Sequence, residues 1–284
     1  MQKNYFKHCE NMRILVWVLI ILLSPSLFTQ SVQYGYNDDV GQYFDVGSDT
    51  HLYYEVYGSG APLLILHGGV FGYIDEFEYL IPKLMDKYQV ICLATRGHVK
   101  SDIGIEPYTY EQRANDAYKL IQHLGLDKVT VIGFSDGGFA AYKLAAIYPD
   151  VVEKMVVMGA GDDPPHDEPG NSSYSAEDLL ENYGDFFKER VASMPEPNRW
   201  NESLLMLNDL YNNSYVSEET FKKISCPVLI MSGDGDEYSD PQECLQAHLF
   251  LSDSHLSIIP GCGHVILYCN FPAVWESMKI FLGY

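Results

Sequence analysis

Five short, predominantly apolar segments constrain what this chain can fold into. They are "APLLILHGG" (61–69), "QVICLATRG" (89–97), "DKVTVIG" (127–133), "VEKMVVMGAG" (152–161) and "CPVLIMSG" (226–233). A strand solvated on one face alternates apolar with polar residues. A continuous run of this length belongs to a strand covered on both faces, as in a parallel sheet. Helical periodicity fills the gaps at 75–88, 109–125 and 136–150, the second closed by Gly125 and the third stopped by Pro149. Two alternating segments, 41–46 and 51–58, come first. A helix near 241–251, a strand at 256–264 and a helix at 271–284 come last. Strands and helices in strict alternation require crossover connections. The pattern predicts an α/β fold with a doubly wound, mostly parallel sheet of about eight strands, its core formed by 41–161 and 225–284.

The alternation breaks at Asp162. "DDPPHDEPGNSSYS" is rich in turn formers and acids, and helical stretches follow at 176–194, 199–213 and 217–224. Some sixty residues between two strands is long for a plain crossover. Residues 162–224 are therefore expected to form a helical cap over the carboxyl ends of the strands, where ligands bind in such sheets.

The first 31 residues have a different character. Lys3, Lys7 and Arg13 precede the run "ILVWVLIILL" (14–23), and Thr29 and Ser31 supply small residues at the −3 and −1 positions of a cleavage site. This is the pattern of a secretory signal peptide, and ten apolar residues before Pro25 are too few to span a bilayer comfortably. Export to the periplasm or the extracellular space is expected, with no stable membrane anchor after cleavage. The net charge of −21 disfavours nucleic acid and anionic lipid as partners. Five cysteines remain beyond residue 31: Cys92, Cys226, Cys244, Cys262 and Cys269. Cys92 lies in an apolar strand, and Cys262 and Cys269 are close enough to bridge in an oxidising compartment. Their spacing is not that of a metal site.

Gly133-Phe134-Ser135-Asp136-Gly137 stands where a buried strand meets a helix. Such a turn lifts the serine Oγ above the sheet and turns the Asp136 N–H and the helix N-terminus toward an oxyanion formed there. A serine hydroxyl needs a base. Eight histidines follow residue 31: His51, His67, His98, His123, His166, His248, His255 and His264. His264 follows the last strand, where a loop can carry it to the serine. The imidazole in turn needs an orienting carboxylate, and Asp234, Asp236, Glu237 and Asp240 all follow the strand at 226–233.

With these residues in view, the chain resembles the α/β-hydrolase superfamily of lipases, esterases and peptidases over about 41–284. The order Ser, acid, His matches that family. The resemblance places the acid at Asp236, the fourth residue of Gly233-Asp234-Gly235-Asp236, with Asp234 as runner-up. It places the histidine at His264 of Gly261-Cys262-Gly263-His264. "LHGG" (66–69) matches the family's H-G loop, which implies an oxyanion N–H from Gly69, with Val70 as the alternative, and a structural role for His67. One loop departs: D-x-R-G-x-G-x-S reads Ala94-Thr95-Arg96-Gly97-His98-Val99-Lys100-Ser101, which puts that loop's conformation in question.

The resemblance implies a cofactor-free, metal-free hydrolase acting on a small-molecule ester through an acyl-enzyme. Val70, Phe134, Asp136 and Val265 are the expected substrate contacts. Asp after the serine resembles biphenyl-hydrolase-like enzymes, in which that carboxylate holds a substrate ammonium; the plainer role for Asp136 is to stabilise its own helix. The same three residues also serve amidases, proline-releasing aminopeptidases, C–C bond hydrolases and cofactor-free haloperoxidases. Epoxide hydrolases and dehalogenases use an Asp nucleophile and are excluded. A non-enzymatic binding module typically lacks one of the three.

Overall fold

The computed structural model describes residues 32–165 and 170–284, so the leader expected over 1–31 lies outside the described residues. Its centre is an eight-stranded sheet. In chain order the strands are β1 (Gly41–Asp45), β2 (His51–Tyr57), β3 (Ala61–Leu66), β4 (Tyr88–Leu93), β5 (Val129–Phe134), β6 (Val152–Met158), β7 (Val228–Gly233) and β8 (Ser254–Ile259). Their spatial order is β1-β2-β4-β3-β5-β6-β7-β8. β1 and β2 pair antiparallel, as do β2 and β4, and every later pairing is parallel. The reversal between β4 and β5, with β3 between them, is the switch point at which doubly wound sheets open a crevice.

The apolar runs explain the layering. Side chains alternate across a strand, so one run supplies two cores. Leu64 and Leu66 of β3 join the core beneath the helices Tyr110–His123 and Asp136–Ile147. Leu63 and Ile65 join the opposite core, beneath Ile81–Leu84 and Phe271–Leu282. All six residues of β5 and all six of β7 are buried, in keeping with the predominantly apolar character of those strands.

The helices are α1 (Ile81–Leu84), α2 (Tyr110–His123), α3 (Asp136–Ile147), α4 (Ala176–Ala192), α5 (Trp200–Asn213), α6 (Glu218–Phe221), α7 (Pro241–Phe250), α8 (Ile266–Cys269) and α9 (Phe271–Leu282). The single helix expected over 75–88 is corrected. The segment forms a 3-10 turn at Ile74–Phe77 and then the one-turn α1. Pro82 falls in the first turn of α1, where its missing N–H costs nothing, but there it cannot bond back to continue the preceding turn. Thr109 and Asn270 cap α2 and α9 through their side chains, accepting from the N–H groups of Gln112 and Ala273. Between β6 and β7 the chain carries α4, α5 and α6, and Asp163 and Val216 pair in an isolated bridge that closes the base of this segment. α4 breaks at Tyr183, whose backbone (φ −135°, ψ 33°) is not helical. No helix among the described residues is long and apolar enough to cross a membrane.

Candidate active site

Ser135 occupies the single residue between β5 and α3, with φ 52° and ψ −119°. An L-residue there is strained, and it persists only when its surroundings hold it. Its N–H donates to Met158 O on β6 (2.8 Å), and its carbonyl accepts from Gly138 and Phe139, anchoring both ends of the turn. The flanking glycines are dictated by contact. A Cβ at Gly133 would lie 2.4 Å from Gly137 O, and one at Gly137 would lie 2.2 Å from Leu66 O.

The structure brings His264 and Asp236 to this turn from the ends of β8 and β7. His264 Nε2 lies 2.9 Å from Ser135 Oγ, and His264 Nδ1 lies 2.9 Å from each carboxylate oxygen of Asp236. The Asp236 side chain is fully buried, and its Oδ1 also accepts from Tyr238 N (2.9 Å) and Ser239 N (3.0 Å). Burial alone would push this carboxyl up, but the hydrogen bond and charge of His264 and the two backbone N–H groups outweigh it. The net shift is downward. An ionised Asp236 accepts the Nδ1 proton and leaves Nε2 as an acceptor toward the serine.

The rival acid does other work. Asp234 accepts from Gly261 N (2.7 Å) and holds together the loops that follow β7 and β8. Asp240 caps α7. A disulfide joins Cys262 to Cys269, so His264 sits inside a covalently closed loop. That loop is also fastened to the acid's loop by Gly235 N donating to Cys262 O (2.9 Å). Four other described histidines lie elsewhere: His51 with Asp102, His123 against Phe44, His248 with Ser254, and His255 against Phe281.

The H-G loop follows β3 directly. His67 is buried; its Nε2 accepts from Thr95 N (3.0 Å) and its Nδ1 lies 2.7 Å from Gly68 O. With Nε2 accepting, Nδ1 carries the proton and donates to that carbonyl. Burial holds this imidazole far below its ordinary value, so it is a neutral strut between two loops. The N–H groups of Gly69, Val70 and Asp136 donate no hydrogen bond among the described residues. The irregular 94–101 loop keeps its shape through this strut, with Ser101 Oγ donating to Ala94 O and Val99 accepting a left-handed φ of 48° where the usual pattern has glycine.

Of the expected substrate contacts, Phe134 packs its ring against His264 at 4.9 Å, and Val265 is exposed beside it. Val265 lines a cavity of about 460 Å³ together with Phe71, Glu76, Phe186 and Arg190. Val70 lies at the foot of α4, near Phe187. The Asp136 carboxylate is buried and already engaged: Arg113 Nε of α2 lies 2.8 Å from Oδ1, and Tyr211 of α5 donates to Oδ2 at 3.0 Å. Arg113, Tyr211 and Glu76 escaped the sequence reading. Arg113 left one trace: it shares its helix stripe with the apolar Tyr110, Ala114 and Ala117, and a cation buried there calls for a carboxylate.

Comparison with known proteins bears out the fold. The family model of the alpha/beta hydrolase fold matches residues 62–194. A 3-oxoadipate enol-lactonase from Acinetobacter baylyi is 32% identical over 110 residues, 38% of this chain and 41% of that protein. The chain spans only 33% and 37% of the length of two further relatives that are 35% identical to it. The human serine hydrolase BPHL is 26% identical over 233 residues, 75% of this chain and 76% of that protein. An esterase structure from Exiguobacterium antarcticum superposes with a TM-score of 0.70 at 24% identity, covering 86% of this chain and 100% of that one. The chain adopts the α/β-hydrolase fold, and residues 62–194 match that family's model.

Proposed function

We propose that the protein is an exported serine hydrolase that cleaves small-molecule esters through an acyl-enzyme. The observation that carries the proposal is the unbroken hydrogen-bond chain from Ser135 Oγ through His264 to Asp236. In the first half-reaction His264 Nε2 takes the Ser135 proton as Oγ attacks the ester carbonyl, and Asp236 stabilises the imidazolium. The Gly69 and Asp136 N–H groups, with Val70 as the alternative donor, receive the oxyanion; preorganised donors of this kind supply the largest single share of such catalysis. The imidazolium returns its proton to the leaving alcohol. Water, deprotonated by the same imidazole, then releases the acid and restores Ser135. No step calls for a metal or organic cofactor.

Residues 162–224 act in this account as a cap. Phe186 and Arg190 of α4 line the cavity beside Val265, which supports substrate entry between cap and core. Export is supported by the leader pattern and by the disulfide around His264, since such bonds persist in oxidising compartments. An ester rather than an amide substrate is supported by the relatives named as enol-lactonase and esterase. The test is hydrolysis of 4-nitrophenyl acetate by the wild type and Ser135→Ala. Turnover is expected from the first and none from the second; equal turnover from both refutes the proposal.

A further inference from the structure

A carboxylate at the first position of a helix is normally a solvated partner of the helix dipole. Asp136 is not solvated: its side chain is 2% exposed, and burial pushes its carboxyl upward despite the opposing effects of Arg113 and Tyr211. A buried carboxylate must be held by its neighbours. Arg113 contributes charge at 2.8 Å, yet Arg113 Nε and Asp136 Oδ1 make no hydrogen bond among the described residues, so this contact is ionic and off-axis. The directional bond comes from the Tyr211 hydroxyl, 3.0 Å from Oδ2.

The same hydroxyl reaches the other side of the site. A Cβ built on Gly69 would lie 2.0 Å from Tyr211 Oη and 3.5 Å from Asp136 Oδ2. One phenol oxygen of α5 is therefore wedged between the two residues whose N–H groups receive the oxyanion in the proposed reaction. Glycine at position 69 is what admits it. Elsewhere on α5, Asn208 and Asn212 clip the 172–174 segment through paired amide bonds, and neither touches Asp136.

We infer that Tyr211 is a positioning residue: its hydroxyl sets the relative placement of Asp136 and Gly69, so the oxyanion site is complete only when α5 is seated. The inference rests on the hydrolytic reading above. Its energetic logic follows from the strained turn. Ser135 and Asp136 are adjacent, and a carboxylate that loses its one directional bond is drawn toward Arg113, which pulls on the strained turn that holds the Asp136 N–H. The oxyanion exists only after attack, so the loss falls on the transition state rather than on substrate binding.

The experiment compares Tyr211→Phe and Asn208→Ala with the wild type and Ser135→Ala on 4-nitrophenyl acetate. Rates are expressed per Ser135 labelled by a fluorophosphonate, so that only folded sites are counted. Tyr211→Phe is expected to lower kcat by about tenfold to a hundredfold, below the loss of a whole oxyanion donor, with KM within about twofold. Asn208→Ala, which loosens the same helix without touching Asp136, is expected to keep kcat within about twofold. A Tyr211→Phe kcat within twofold of the wild type overturns the inference, as does an equal loss in Asn208→Ala. Turnover by the wild type and none by Ser135→Ala in the same plate keeps the hydrolytic reading intact whichever way Tyr211 falls.

Discussion

Replacing Asp236 by Asn tests the role of the acid with almost no change of shape. Three N–H groups point at this carboxylate, those of Tyr238 and Ser239 at Oδ1 and that of His264 at both oxygens. An Asn side chain keeps its carbonyl oxygen at the Oδ1 position, where two backbone donors need it, and puts its NH₂ at Oδ2. That NH₂ faces His264 Nδ1, donor against donor. The imidazole escapes the clash by moving its proton to Nε2, where it meets Ser135 Oγ and can no longer accept. Wrong-tautomer variants of this kind lose about 10⁴ in kcat, which at about 1.4 kcal/mol per decade is about 5.5 kcal/mol of barrier. Stopped-time hydrolysis of 4-nitrophenyl acetate by Asp236→Asn and Asp234→Asn gives the contrast. Asp234 holds Gly261 N from the surface, so its variant is expected to lose no more than about 1 kcal/mol, the worth of one ordinary hydrogen bond. Activity of Asp236→Asn within tenfold of the wild type, or a larger loss in Asp234→Asn, refutes the tautomer argument.

Other consequences follow from the same geometry. Glu76 accepts from Gly68 N and faces the cavity, and burial pushes its carboxyl from the ordinary 4.5 up to about 8 against that hydrogen bond. The folded state then binds this proton more tightly than the unfolded chain, so stability falls as pH rises from about 4.5 through 8; urea melts across that window are expected to show the slope in the wild type and a shallower one in Glu76→Gln. Arg113→Met strips the buried Asp136 of its cation and is expected to cost about 3 kcal/mol in a urea melt. Cys262→Ser with Cys269→Ser opens the loop around His264 and is expected to cost about 2 kcal/mol. Thermal melts with and without a dithiol reductant check this, since only the wild type should respond.

The fold was legible because the physics that shapes it acts locally. Strands covered on both faces must be predominantly apolar, and β3, β5 and β7 begin and end within two or three residues of the runs that announced them. Ser135, Asp236 and His264 were legible because each follows a strand end in a glycine-marked turn, and close backbone contact leaves glycine no substitute at Gly133 and Gly137. The helix at 75–88 misled because its periodicity fits two short turns as well as one long one, and Pro82 separates them. Tyr211 was invisible for another reason. Its meaning comes from a contact with Asp136 across 75 residues of chain, and nothing in the sequence around either residue marks it. Asp136 itself was read as two alternatives, and the partners that occupy its carboxylate lie on two other helices.

If Ser135 is the nucleophile, an active-site-directed reagent attaches to it and to no other residue. The full chain is treated with a fluorophosphonate, digested, and the adduct located by peptide mass spectrometry, with Ser135→Ala and His264→Ala treated in parallel. One stoichiometric adduct is expected on Ser135, none in Ser135→Ala, and labelling slowed by several orders of magnitude in His264→Ala. An adduct on another residue, or equal labelling of all three proteins, contradicts Ser135 as the nucleophile.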